Sequence, residues 1–158
     1  MTPVWSLNAG APVAGSPAIA PDESLVVLLG GPSGGLLALD SQGKRRWLTP
    51  PCWTAGAPLL WPAVAAEGWI QVADCSVGAD GSVRWRTPSS GSWTTPAALD
   101  ADGNVYVGTR TTMSSYGPDG SLRWSYQAEG QVGPPSIGPY GVVAFSTRSP
   151  DRLVVLGR

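Results

Sequence analysis

Three segments of this chain are near copies of one another: Gly43-Lys-Arg-Arg-Trp47, Gly81-Ser-Val-Arg-Trp85 and Gly120-Ser-Leu-Arg-Trp124. A further tryptophan, Trp5, stands one step earlier, and successive tryptophans lie 42, 38 and 39 residues apart. A period of about 40 residues with room for four short strands is the spacing of a propeller blade. One such sheet cannot bury both faces alone, so the repeat must stack on itself. The spacing therefore constrains the fold closely and the activity hardly at all, because propellers host unrelated activities.

Composition agrees. The 158 residues suit one ordinary domain. Gly (21) and Pro (16) make up close to a quarter of the chain, while hydrophobic residues reach 42% and charged residues only 13%. The apolar runs between the turn residues are too regular for disorder, so many short strands joined by Gly/Pro turns are predicted, an all-β chain.

The units can be read in register. A first strand, a, opens on a proline: Pro17-Ala-Ile-Ala20, Pro58-Leu-Leu-Trp61, Pro96-Ala-Ala-Leu99 and Pro135-Ser-Ile-Gly138. Proline is tolerated at the first position of a strand, where no ladder donor is needed. After a turn rich in Asp and Gly comes strand b, the most apolar: Leu25–Leu29, Trp69–Ala73, Asn104–Gly108 and Val142–Ser146. A continuous apolar run fits a strand covered on both faces by neighbouring blades. Strand c follows at Gly35–Leu39, Cys75–Gly78, Met113–Tyr116 and Leu153–Leu156, and after a second turn strand d ends in the tryptophan. That tryptophan is expected to act as a buried staple between blades.

The fourth unit stops after its strand c, and the chain opens on a lone tryptophan strand, Pro3-Val-Trp-Ser-Leu7. The expected architecture is therefore four blades of four antiparallel strands, near 16–48, 57–86, 95–126 and 134–158, with strand 3–7 closing the last. Half of an eight-bladed ring, completed by a homodimer, is a second way to close the same chain.

Ala98-Leu-Asp-Ala-Asp-Gly-Asn-Val-Tyr-Val-Gly108, Gly120-Ser-Leu-Arg-Trp124 and Gly35-Leu-Leu-Ala-Leu-Asp40 resemble the pyrroloquinoline-quinone-like propeller repeat. The resemblance covers essentially the whole chain. It implies the fold, and a superfamily that includes quinoprotein dehydrogenases, an outer-membrane assembly lipoprotein and sensory domains of bacterial kinases. The dehydrogenases of that superfamily hold their cofactor with a vicinal cysteine pair, a tryptophan and acidic residues. Here the two cysteines, Cys52 and Cys75, are 23 residues apart, so no cofactor is expected.

Other chemistry is limited by what is missing. The chain has no histidine, which removes Ser-His-Asp, Cys-His and histidine-metal sites. Two cysteines alone cannot fill a four-ligand zinc site; a disulfide and two separate thiols both remain open. Asp100-Ala-Asp-Gly-Asn104 lacks the closing Glu of a calcium loop and reads as a hairpin turn, like the Asp-Gly pairs at Asp80 and Asp119. Gly30-Gly-Pro-Ser-Gly-Gly35 lies between strands rather than before a helix, so it is a loop and not a phosphate cradle. The formal net charge is −1 and Lys44-Arg45-Arg46 is the one basic cluster, which argues against nucleic acid. The first residues have no basic start or apolar run of a signal peptide, and no stretch approaches the roughly 18 apolar residues of a membrane span. As given, the sequence favours the cytoplasm, whereas the family resemblance favours an extracytoplasmic site.

What remains is recognition. Trp53 and Trp93 fall in loops from strand d to the next strand a, which gather on one face of a propeller, and tryptophan is enriched at binding hot spots. Arg110 and Tyr140 join this candidate rim by their place in the repeat. The expected function is a non-catalytic interaction module for a protein or peptide. The alternative is a ligand-sensing or cofactor-binding portion of a larger protein, such as a quinoprotein-type oxidoreductase or receptor kinase.

Overall fold

The chain forms four antiparallel four-stranded sheets, seen in a computed structural model that describes residues 2–31, 34–53, 61–87 and 95–157. The first sheet holds β1 (Ala18–Ile19), β2 (Leu25–Leu29), β3 (Gly35–Leu39) and β4 (Arg45–Thr49). The second holds β5 (Ala63–Val64), β6 (Ile70–Val72), β7 (Cys75–Val77) and β8 (Val83–Arg86). The third holds β9 (Ala98–Leu99), β10 (Val105–Gly108), β11 (Thr112–Tyr116) and β12 (Leu122–Gln127). In the fourth, β13 (Gln131–Val132) and β14 (Ser136–Ile137) pair in succession along one side of β15 (Val143–Arg148), and β16 (Arg152–Leu156) pairs along the other.

Burial follows from the stacking. Strands β2, β3, β6, β7 and β10 are buried along almost every residue, because both their faces are covered. Val26, Leu28 and Leu36 of the first sheet pack on Ile70, Val72 and Val77 of the second. Trp69 of the second sheet meets Val105 and Val107 of the third, and Tyr106 and Met113 of the third meet Val143 and Phe145 of the fourth. The short inner strands neighbour one another in chain order, β1 to β5 to β9 to β14. These are the four antiparallel four-stranded blades expected from the repeat, stacked in chain order.

The outer strands depart from expectation in one way. Trp47, Trp85 and Trp124 are half-buried rather than fully buried, in strands otherwise largely open to solvent. Each strand also runs past its tryptophan. A bulge recurs just before the turn from strand c to strand d, at Ala38/Leu39, Ser76/Val77 and Ser115/Tyr116. The unpaired residue it leaves on the outer strand is Arg46, Arg84 and Arg123 in turn.

Two expectations are corrected. The inner strand of the second sheet is Ala63–Val64, not residues 58–61. Counting back from the turn shows why: Ala65 donates its amide to Trp69 O just as Ala20 does to Ser24 O, which fixes the strand immediately before Ala65. Residues 58–60 lie outside the described residues.

Segment 3–7 does not pair with the fourth sheet. It joins no sheet, and Trp5 packs with Ala9 and Ala11 on Val27, Leu29, Leu37 and Leu39 of the first. The physical reason is the tryptophan itself. Trp5 Nε1 donates to Ser41 O at 3.0 Å and its ring lies against Gly43. The same arrangement holds Trp47 on Gly81 and Trp85 on Gly120. In this repeat a tryptophan serves the sheet that follows it.

Candidate functional site

Each sheet alternates its connections, so the a–b and c–d turns gather at one end of the stack and the b–c and d–a connections at the other. The four residues singled out from sequence are divided by this alternation. Trp53, beside the disulfide, is partly buried against the core between the first two sheets. Arg110 is exposed in the b–c connection of the third sheet, where its carbonyl accepts the Val132 amide at 3.1 Å. Trp93 lies outside the described residues. Tyr140 is at the opposite end, in the a–b turn of the fourth sheet. Among the described residues the structure therefore does not bring Tyr140 together with Trp53 and Arg110.

At Tyr140 it builds something else, a cleft of about 850 Å³ between the a–b turns of the third and fourth sheets. Leu99, Asp100 and Asp102 form one wall, Tyr140 and Val142 the other, with Tyr106 and Arg123 behind. A second hollow of about 370 Å³ adjoins it, lined by Arg123, Trp124, Tyr126 and Leu156.

Tyr140 is 93% exposed. It sits in the left-handed region (φ 59°, ψ 23°) between Pro139 and Gly141. Non-glycine residues avoid that region because Cβ crowds the backbone, at a cost of about 1 kcal/mol or more. Burial of the side chain therefore does not account for a tyrosine in this turn.

The opposite wall is tied by hydrogen bonds. Asp100 Oδ1 accepts the amides of Asp102 (3.0 Å) and Asn104 (2.8 Å), and Oδ2 accepts Asn104 Nδ2 and the Tyr106 hydroxyl, both at 2.8 Å. Burial opposes ionisation of Asp100, but the donors of Asn104, Tyr106 and Asp102 outweigh it and hold the carboxyl below its usual range. Burial, and then the Asp100 carboxylate, push the Tyr106 phenol up. Asp100 is thus a structural acceptor closing a hairpin turn.

Arg123 gives the cleft its cation. It is the third of a repeated set that sequence reading passed over: an arginine precedes the tryptophan in every copy, and the bulge sends it toward the a–b end. Arg46 bonds Asp22 and Ser24. Arg84 stacks over Trp69, 4.9 Å from the ring centroid. Arg123 lies beside Tyr106, where it favours the phenolate against the larger upward push of burial. The Arg-Trp dipeptide was the signal that could have found them.

Chemically, this arrangement offers an aromatic face, one guanidinium and the Asp102 carboxylate on a preformed wall. Cys52 and Cys75 form a disulfide (S–S 2.04 Å), both are buried, and they lie in the core between the first two sheets rather than side by side on a cofactor.

No curated protein matches this chain. Among solved structures, BamB from Moraxella catarrhalis is 20% identical with a TM-score of 0.64 over 96% of this chain and 52% of its own. A streptogramin B lyase is 12% identical with a TM-score of 0.71 over 96% and 57%. The Pan2 WD40 domain of Neurospora crassa is 14% identical with a TM-score of 0.68 over 99% and 49%. The chain thus spans about half the length of these propellers. At such identities the likeness shows the fold alone. The profile of the family described as outer membrane protein assembly factor BamB matches residues 66–153, more than half of the sequence. The chain belongs to that family of pyrroloquinoline-quinone-like β-propellers.

Proposed function

We propose that this chain is a non-catalytic propeller module that binds a polypeptide partner through the cleft between its third and fourth sheets. The observation that carries the reading is Tyr140, which is strained, almost fully exposed and set on the rim of a cleft of about 850 Å³. Strain kept at an exposed aromatic is retained for contact, not for stability. Arg123 and Asp102 offer one charge of each sign to the same ligand. The family, described as an outer membrane protein assembly factor, supports a role among protein partners. The disulfide favours operation in an oxidising compartment.

The second reading is that the chain is a ligand-sensing portion of a larger propeller. It is favoured by one observation, that the solved propellers it matches are nearly twice its length.

The test is a peptide selection by display on the purified chain. Selected peptides should bind Tyr140→Gly and Arg123→Ala at least tenfold more weakly than the parent. Tyr140→Gly should at the same time raise stability by up to about 1 kcal/mol, because glycine accepts the left-handed turn. Peptides that bind both variants as tightly as the parent would refute the cleft as the site.

A further inference from the structure

The first and second sheets meet through an apolar core, with Val26, Leu28 and Leu36 against Ile70, Val72 and Val77. The second and third meet differently. Side chains alternate along a strand, so those of the second sheet that do not face the first face the third. At the a–b end of that face Ala65, Trp69 and Trp85 pack with Val105 and Val107. Toward the b–c end it carries Gln71, Ser76 and Thr87.

All three are buried, Gln71 and Ser76 at 0% exposure and Thr87 at 4%. Gln71 Nε2 donates to Ala73 O at 2.8 Å, but Gln71 Oε1 has no partner, and neither has Ser76 Oγ nor Thr87 Oγ1.

The register places these oxygens side by side. Gln71 pairs directly with Ser76 across β6 and β7, and Ser76 with Trp85 on β8. Residues opposed in this way hold their β-carbons about 5 Å apart on one face. Thr87 follows Trp85 by two residues, so it lies on the same face about 7 Å along the strand, where its amide donates to Asp74 O at 3.0 Å. On the third sheet Val107 pairs with Ser114, itself buried and 3.2 Å from the Ser125 hydroxyl.

The repeat does not demand this polarity. Judged by pairing with the inner strand, the place of Gln71 is held by Val26 in the first sheet, Tyr106 in the third and Ala144 in the fourth. The Tyr106 hydroxyl has its acceptor in Asp100, whereas Gln71 Oε1 has no donor. A buried polar oxygen without a partner costs at least what a lost hydrogen bond costs, and one face of one sheet carries three.

We infer that the junction between the second and third sheets is a binding site for ordered water. One molecule accepts from the Ser76 hydroxyl and donates to Gln71 Oε1, and Thr87 Oγ1 joins the same chain. Water fits this set because an amide oxygen only accepts, a hydroxyl does both, and the bridge between them must do both as well. None of the three groups is charged, and Asp74 beside Thr87 has a partner of its own, which favours a neutral ligand over a cation. The site is separate from the cleft at Tyr140 and does not depend on it.

A high-resolution crystal structure of the parent, with urea midpoints for Ser76→Ala and Thr87→Val, tests the site. The expected results are water density within hydrogen-bond distance of Gln71 Oε1 and Ser76 Oγ, and a lower midpoint in both variants, because each change strips a partner from bound water. Peptide binding at Tyr140 should stay at the parent level in both. In a dry seam the same changes would delete an unmet hydroxyl, so midpoints that hold or rise would overturn the proposal, as would a parent structure with no density at the site. A parent midpoint that moves when sodium is replaced by potassium at constant ionic strength would overturn water as the ligand in favour of a cation.

Discussion

The indole N–H of Trp47 donates to the carbonyl oxygen of Ala79 across 2.9 Å, and its ring lies so close to Gly81 that a Cβ there would stand 2.8 Å from Cδ2. The relation recurs between Trp85 and Gly120, where Nε1 reaches Pro118 O at 2.9 Å, and between Trp5 and Gly43. In every case the accepting carbonyl lies two residues before the glycine. The glycine meets two demands at once, a left-handed backbone (φ 78° to 86°) and an indole on its Cα.

Those demands can be separated. Gly68 also has a left-handed backbone (φ 85°), but a Cβ there would meet only the Ala79 methyl at an ordinary 3.5 Å. Gly68→Ala should cost about 1 kcal/mol in urea denaturation, the conformational penalty alone. Gly81→Ala should cost about 1–3 kcal/mol more, because the Trp47 ring must shift as well. Equal losses at the two sites would show that the indole contact contributes nothing to joining the sheets.

The disulfide closes the loop between Cys52, in the connection after the first sheet, and Cys75, at the start of β7, with a sequence separation of 23. Replacing both cysteines with alanine should cost about 3 kcal/mol, chiefly by freeing the unfolded chain. The comparison is urea denaturation of the parent and the double variant without reductant. A difference below about 1 kcal/mol would mean that the loop is held by Trp53 and its neighbours without the bond.

Asp22 gives the stability a foot at acid pH. The Arg46 guanidinium and then the Ser24 hydroxyl and amide hold its carboxyl down at about 2. A carboxyl lowered in the folded state favours folding fully above its unfolded value, near 4, and that contribution is lost as the pH falls from about 4 to 2. Both side chains are almost half exposed (42% and 48%), so screening limits the effect to below about 1 kcal/mol. Asp22→Asn should therefore be less stable than the parent at pH 6 and equal to it at pH 2, in denaturation curves taken at both values. A constant gap across that range would rule out the ion pair as its source.

The repeat was legible because it joins local chemistry to packing. The Gly-to-Trp spacing, the Asp-Gly turns and the apolar b strands are each required in every copy, so three copies corroborate one another. The inner strand of the second sheet was misread because Pro58 and Pro62 offer the same start signal, and only the Ala65-to-Trp69 hydrogen bond chooses between them. Segment 3–7 was read as a strand of the fourth sheet, yet it joins no sheet and Trp5 packs on the first, since a spacing shows that a tryptophan staples sheets without showing which. The disulfide was left open because the approach of Cys52 to Cys75 depends on how the loop after β4 folds back over β7. The cleft was legible only at Tyr140. Its other walls, Asp100 and Arg123, looked from the sequence like an ordinary turn and an ordinary strand residue, and their convergence depends on a bulge that spacing does not encode.

The Trp–Gly contacts also decide how the fold holds together as a whole. Each clasps one sheet to the next and reaches no farther, and the described core is divided the same way, into clusters that join neighbours. Cohesion of this kind resembles that of a stack of tiles more than that of a sphere with a single centre. It travels along the array one junction at a time, and an interior sheet is secured from two sides where a terminal one is secured from one.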